Sequence, residues 1–279
     1  MRARRMLGFL AAAALLVLLG HSASAATVDG LKLQSSSVGT GPTIVFVHGW
    51  TCDSSSWTSQ VPAFSKDHRV ITLDLPGHGQ SASPQDGKLS MDLFARAVEA
   101  VRAEAGADRI VLVGHSMGAP VIRQYAHLYP QHVAGLVAVD GPLDIRVFPA
   151  ELPPGFAASF TGPEGRAARE GMIKSMFIAE TPAALQDHIL KMMLAAPEAT
   201  AVGAMNATFD PANRWTDVIQ APALTVYAGT ANVPDPVATK ELYPNHEATQ
   251  LKGTGHFLMM EKPAEFNRLL AGFLDKIDF

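Results

Sequence analysis

The sequence is short of the residues that mark several common protein classes. It has one cysteine, Cys52, among 279 residues, so no internal disulfide can form. Lys and Arg together number 22 against 26 for Asp and Glu, and no basic block interrupts the chain. The electrostatic footprint of a nucleic-acid binder is therefore missing. No cluster of Arg or Lys marks a pocket for a phosphate or a dicarboxylate. No Gly-rich dinucleotide motif and no Cys/His set at zinc spacing occurs, so the sequence implies chemistry with no cofactor and no metal. Internal repeats, low-complexity tracts and flexible linkers are also lacking.

Long apolar runs are scarce too. The run from Leu7 to Gly20 is short for a membrane span. It follows a basic stretch, Met1-Arg-Ala-Arg-Arg5, and precedes Ala23-Ser-Ala25, a small-x-small cleavage pattern. Residues 1–25 thus read as a signal peptide, cleaved near Ala25. No cysteine follows the apolar run to carry a lipid, so no stable membrane anchor is expected after cleavage. The protein is expected to be exported, periplasmic or secreted, and the Arg4–Arg5 pair leaves the Sec and twin-arginine routes both open.

About 254 residues then remain, enough for one large α/β domain. Thr43–Val47, Val70–Leu73, Ile110–Val113, Gly135–Val139 and Ala223–Ala228 are continuous apolar runs rich in β-branched residues. They do not alternate with polar residues, the mark of strands buried on both faces of a parallel sheet. An earlier strand pair is expected within Thr27–Val38. Helical patterns lie between the runs. Ser90 caps a helix to Ala105, and Gly118 to Tyr129 forms another, stopped by Pro130. This alternation predicts a doubly wound, mostly parallel sheet flanked by helices. Residues 26–141 and 218–279 would form that core. Between them, 142–217 carries no such strand but has helical stretches at Gly165–Glu180, Pro182–Ala195 and Glu198–Ala207. It reads as a helical cap inserted into the core. Gln250–Leu251 ends a further strand, and Pro263–Lys276 is a last amphipathic helix.

Gly114-His-Ser-Met-Gly118 stands directly after a buried strand and before a helix. That is the setting of a Gly-x-Ser-x-Gly nucleophile elbow, with Ser116 raised on a sharp turn at a helix N-terminus. A serine hydroxyl needs a base. His256, in the loop Gly253-Thr-Gly-His-Phe257 after the last strand, is the best placed of ten histidines. His115 would point away from the site, and His78 suits structural hydrogen bonds. The oxyanion donors would be the backbone N–H groups of Met117 and Trp50, with Gly49 allowing close approach. Cys52 reads as a small buried hydrophobe.

Four segments resemble the α/β-hydrolase fold family, in its serine branch with a helical cap, which includes esterases and haloperoxidase-like members. They are Phe46-Val-His-Gly-Trp50, Asp74-Leu-Pro-Gly-His-Gly-Gln-Ser81, Val113-Gly-His-Ser-Met-Gly118 and Gly253-Thr-Gly-His-Phe257, in the family's order. The resemblance covers nearly all of the chain beyond the leader. It implies Ser116 as nucleophile, His256 as base and a cap that shapes the pocket. It also implies an acid soon after the strand Ala223–Ala228, but that position is Asn232. Asparagine can orient a histidine without balancing its charge. Two aspartates are candidates in its place. Asp140 ends the strand expected beside the nucleophile strand, a rigid position that favours it. Asp235 lies three residues beyond Asn232.

The middle of the chain and the His256 loop hold Met172, Met176, Met192, Met193, Met205, Met259 and Met260. If some line the pocket, the substrate is apolar. The expected activity is hydrolysis of small apolar esters or lactones through an acyl-enzyme. Carbon–carbon bond hydrolysis and cofactor-free perhydrolysis are alternatives with the same triad. A non-catalytic small-molecule binder is the alternative from another class. Sequence does not set the oligomeric state.

Overall fold

A computed structural model describes residues 22–23, 26–148, 152–233 and 236–279, with 22–23 and 236–238 described by backbone alone. The rest of the leader stretch and the candidate acid Asp235 lie outside the described residues. In chain order the elements are β1 (Ser22–Ala23), β2 (Thr27–Val28), β3 (Leu31–Lys32), β4 (Ser35–Val38), β5 (Thr43–Val47), α1 (Val61–Phe64) and β6 (Arg69–Leu73). There follow α2 (Met91–Glu104), β7 (Ile110–His115), α3 (Gly118–Leu128) and β8 (Val133–Val139). Then come α4 (Gly165–Lys174), α5 (Ala183–Ala195) and α6 (Glu198–Thr208). The chain closes with β9 (Ala223–Ala228), α7 (Pro236–Leu242), β10 (His246–Leu251), α8 (Leu258–Glu261) and α9 (Pro263–Leu274).

The main sheet runs β1-β4-β6-β5-β7-β8-β9-β10. From β6 to β10 every neighbouring pair is parallel, while β4 is antiparallel to β6. The continuous apolar runs occupy its centre. Every residue of β5, β7 and β8 is buried, because helices cover both faces of a parallel sheet. The chain goes from β5 to β6 on one side, then crosses to β7 on the other. The ends of β5 and β7 therefore flank a topological switch point, where open α/β sheets form their binding crevice.

Ser90 caps α2, its hydroxyl accepting the Leu93 N–H at 3.1 Å. Helix α4 stops at Lys174 rather than Glu180. Thr181 turns the chain there, its hydroxyl accepting the Ile178 N–H at 3.1 Å, a local bond that competes with the helix. Helix α9 likewise ends at Leu274, two residues early. The three helices α4–α6 all fall between β8 and β9 and form a helical insertion over the crevice. Among the described residues no helix is long and apolar enough to cross a membrane.

Candidate active site

Strand β7 turns directly into α3 through Ser116, whose φ is 52°. A serine in the left-handed region is strained, and such strain persists only where the surroundings impose it. Here they do. The Ser116 N–H donates to the Val139 carbonyl at 2.9 Å, and its own carbonyl accepts the Ala119 N–H at 2.9 Å. A Cβ at Gly118 would sit 2.5 Å from the Val47 carbonyl oxygen, and one at Gly114 would sit 2.3 Å from that of Gly118. Only glycine lets this turn pack against β5. Ser116 is left half-buried, at the edge of a cavity of about 240 Å³.

His256 lines the same cavity. Its Nδ1–H donates to Asp140 Oδ2 at 2.6 Å, so Nε2 is the ring nitrogen free to take a proton. Asp140 follows β8, which pairs with β7 in parallel register. Its φ of 44° is again left-handed, a turn that swings the carboxylate across the strand ends. The second carboxylate oxygen, Oδ1, accepts the Ala228 N–H at 2.8 Å. Burial pushes the Asp140 pKa up. The hydrogen bond and charge of His256 and the Ala228 amide outweigh it, and the group is held below its usual range. The structure thus brings Ser116, His256 and Asp140 to one crevice. Asn232 is exposed and makes no hydrogen bond to His256 among the described residues. It borders a second cavity of about 560 Å³ that shares Asp140 and His256 with the first.

His256 is fixed from its backbone as well. Its N–H donates to the Met176 carbonyl at 3.1 Å. Its carbonyl accepts the His115 Nε2–H at 2.9 Å. His115 stays out of the cavity lining, as expected, but packs beside the base. Its ring lies 4.7 Å from the His256 ring, and burial drives its pKa down to about 3. It is a neutral brace. His78 is also buried and neutral, with its pKa driven to about 3 mainly by burial and its Nδ1–H donated to the Pro76 carbonyl at 3.1 Å.

The loop after β5 carries the other candidates. His48 donates its Nδ1–H to the Gly49 carbonyl at 2.8 Å and accepts the Leu75 N–H on Nε2 at 3.0 Å. The Gly49 carbonyl also accepts the Cys52 N–H at 3.2 Å. In a trans peptide the next N–H points the opposite way, so the Trp50 N–H is directed away from these partners. Among the described residues neither the Trp50 nor the Met117 N–H has a backbone acceptor, and both residues line the 240 Å³ cavity. Gly49 also lies close against the elbow. A Cβ there would lie 3.0 Å from His115 Nδ1 and 3.1 Å from Ser116 Cβ, so its smallness serves the elbow.

Of the methionines, Met172, Met176 and Met205 of the insertion line the cavity together with Met117 of the elbow. Met192, Met193 and Met259 are buried outside it. Cys52 is buried, and burial, aided by Asp53, pushes its thiol up to about 12.

A sequence model of the alpha/beta hydrolase fold matches residues 42–263. The dihydrolipoyllysine-residue acetyltransferase component of the acetoin cleaving system of Pseudomonas putida is 32% identical over 248 residues, 85% of this chain and 64% of that one. Among solved structures, an N-acyl homoserine lactone degrading enzyme superposes with a TM-score of 0.75 at 28% identity, over 89% of this chain and 99% of that chain. A thermophilic esterase from Thermogutta terrifontis gives 0.76 at 24% identity, over 90% and 97%, a likeness of fold.

Proposed function

The chain belongs to the alpha/beta hydrolase fold family and is a hydrolytic enzyme acting on small molecules; from that premise we propose that it cleaves small apolar carboxylic esters or lactones through an acyl-enzyme. The observation that carries this reading is the 2.6 Å His256–Asp140 pair opening on the same cavity as Ser116. Ser116 Oγ attacks the ester carbonyl while His256 Nε2 takes its proton. The imidazolium so formed is stabilised by Asp140, whose depressed pKa keeps it ionised. The carbonyl oxygen gains negative charge and is met by the Trp50 and Met117 N–H groups. His256 then returns the proton to the leaving alcohol. Water, activated by the same base, releases the acid and restores the serine.

Substrate polarity follows from the walls. The cavity of about 240 Å³ beside Ser116 adjoins the one of about 560 Å³ at Asp140 and His256. Four methionines and Phe209 give the cavity beside Ser116 an apolar, adaptable lining. A small apolar acyl group fits that lining. The likeness to a lactone-degrading enzyme supports including lactones. The leader pattern in residues 1–25 supports an exported protein.

The test is a fluorophosphonate probe applied to the wild type and to Ser116→Ala, with the labelled residue located by mass spectrometry. Labelling at Ser116 that Ser116→Ala abolishes, together with turnover of a chromogenic short-chain ester, is expected. A folded wild type that neither labels nor turns over would leave a non-catalytic binder.

A further inference from the structure

The helical insertion does more than roof the cavity. It is bonded to the loop that carries one of the two proposed oxyanion donors. The Trp50 indole Nε1–H donates to the Ala201 carbonyl at 2.8 Å, a fully buried bond that joins the loop after β5 to the first turn of α6. The Trp50 ring also packs on Phe160 of the insertion at 5.1 Å between centroids. Next to Ala201, the Thr200 hydroxyl donates to the Gly77 carbonyl at 2.7 Å and pins α6 to the core.

The loop needs such an anchor. Its carbonyl side is held at Gly49 by His48 and Cys52. On the other side Thr51 follows Trp50 at φ 54°, a conformation a β-branched residue rarely adopts. The Thr51 hydroxyl is buried without a partner, so the loop's own side chain does not hold the turn. The Cys52 N–H to Gly49 carbonyl bond closes the turn around Trp50 and Thr51, and the indole bond ties that turn to α6.

We infer that the Trp50 indole is a positioning group: its bond to α6 sets the direction of the Trp50 backbone N–H, so that seating of the insertion and stabilisation of the oxyanion are coupled. This rests on the serine-hydrolase reading. An insertion displaced from the core withdraws the Ala201 carbonyl, the indole loses its anchor, and the N–H leaves the point where the oxyanion forms. Hydrolysis then requires a seated insertion.

Trp50→Phe keeps an aromatic ring against Phe160 and removes the N–H. Fluorophosphonate labelling and kcat for a short-chain nitrophenyl ester should each fall about 10- to 100-fold, the scale of a misplaced catalytic group. KM should change by less than about twofold, since the lost interaction belongs to the transition state. A packing residue alone would lower the melting temperature and leave the labelling rate of the folded enzyme unchanged. Thr200→Val loosens α6 beside Ala201 without touching Trp50, and should slow labelling in the same direction by about threefold. If Trp50→Phe does not fold, the Thr200→Val rate decides alone. A wild type that labels at Ser116, with folded variants that label at its rate, would overturn this inference and leave the reading of the site intact. A wild type that does not label would overturn both.

Discussion

At Asp140 one carboxylate serves two donors at once. Oδ2 takes the His256 Nδ1–H and Oδ1 takes the Ala228 amide. The backbone bond fixes the carboxylate plane, so the histidine ring is aimed by a group that cannot rotate away. Asp140→Asn keeps the shape, removes the charge and offers an amide N–H where an acceptor is needed. It should lower kcat by about 10³- to 10⁴-fold with little change in KM, since the wrong tautomer is then favoured. Steady-state kinetics on a chromogenic ester measure this. Asn232→Asp adds a carboxylate at an exposed position, where charges interact weakly, and should change kcat/KM by less than about threefold. A tenfold gain would mean that position 232 shares the role of Asp140. That Asp140 would stand beside the strand of Ser116 was legible from its place at a strand end. The Ala228 N–H and the Met176 carbonyl were not, because a backbone group has no letter in a sequence. The bond of His115 to the His256 carbonyl was not legible for a related reason. The two residues stand 141 positions apart in the chain.

Elements were legible in proportion to their burial. β5, β7 and β8 are buried along their whole length and read as unbroken apolar runs. β10 pairs only with β9 at the sheet edge and reads His-Glu-Ala-Thr-Gln-Leu, so only its end stood out. Helix α3 carries a second feature that periodicity hides. Arg123 is buried in it, yet holds Asp217 through a 2.6 Å ion pair, with its guanidinium 5.3 Å from the Trp215 ring and 5.8 Å from that of Tyr243. Asp217 lies just before β9, where the chain returns from the insertion to the sheet. This pair staples the return path to α3. Asp217→Ala leaves a buried cation without its counter-ion and should cost about 2 kcal/mol, less than a fully buried pair because Asp217 is partly exposed. A lower urea midpoint at unchanged slope would show it. An unchanged midpoint would mean that the two rings and the Asp217 backbone carbonyl suffice.

The whole molecule should be sensitive to acid for a reason set by its buried histidines. His78 and His115 are fully buried, and folding lowers their pKa from 6.5 to about 3. Burial moves His48 in the same direction. The unfolded chain binds these protons more readily, so protons favour unfolding. The stability from keeping them neutral is fully present above about pH 6.5 and drains as pH falls toward 3. At pH 5 the loss should be about 2 kcal/mol for each of His78 and His115. Urea unfolding at pH 7.5 and pH 5 measures it, and a flat stability across that interval would contradict it. The same burial has a use at Cys52. The chain's only thiol sits two residues beyond Trp50, shielded from solvent and held protonated. A chromogenic disulfide reagent can reach it only when the surrounding structure opens. Labelling should be slow in native buffer and accelerate with urea, whereas reaction within the mixing time would mean that the loop is open. The native sequence thus contains its own clock, and the colour released per hour counts how often the loop after β5 opens.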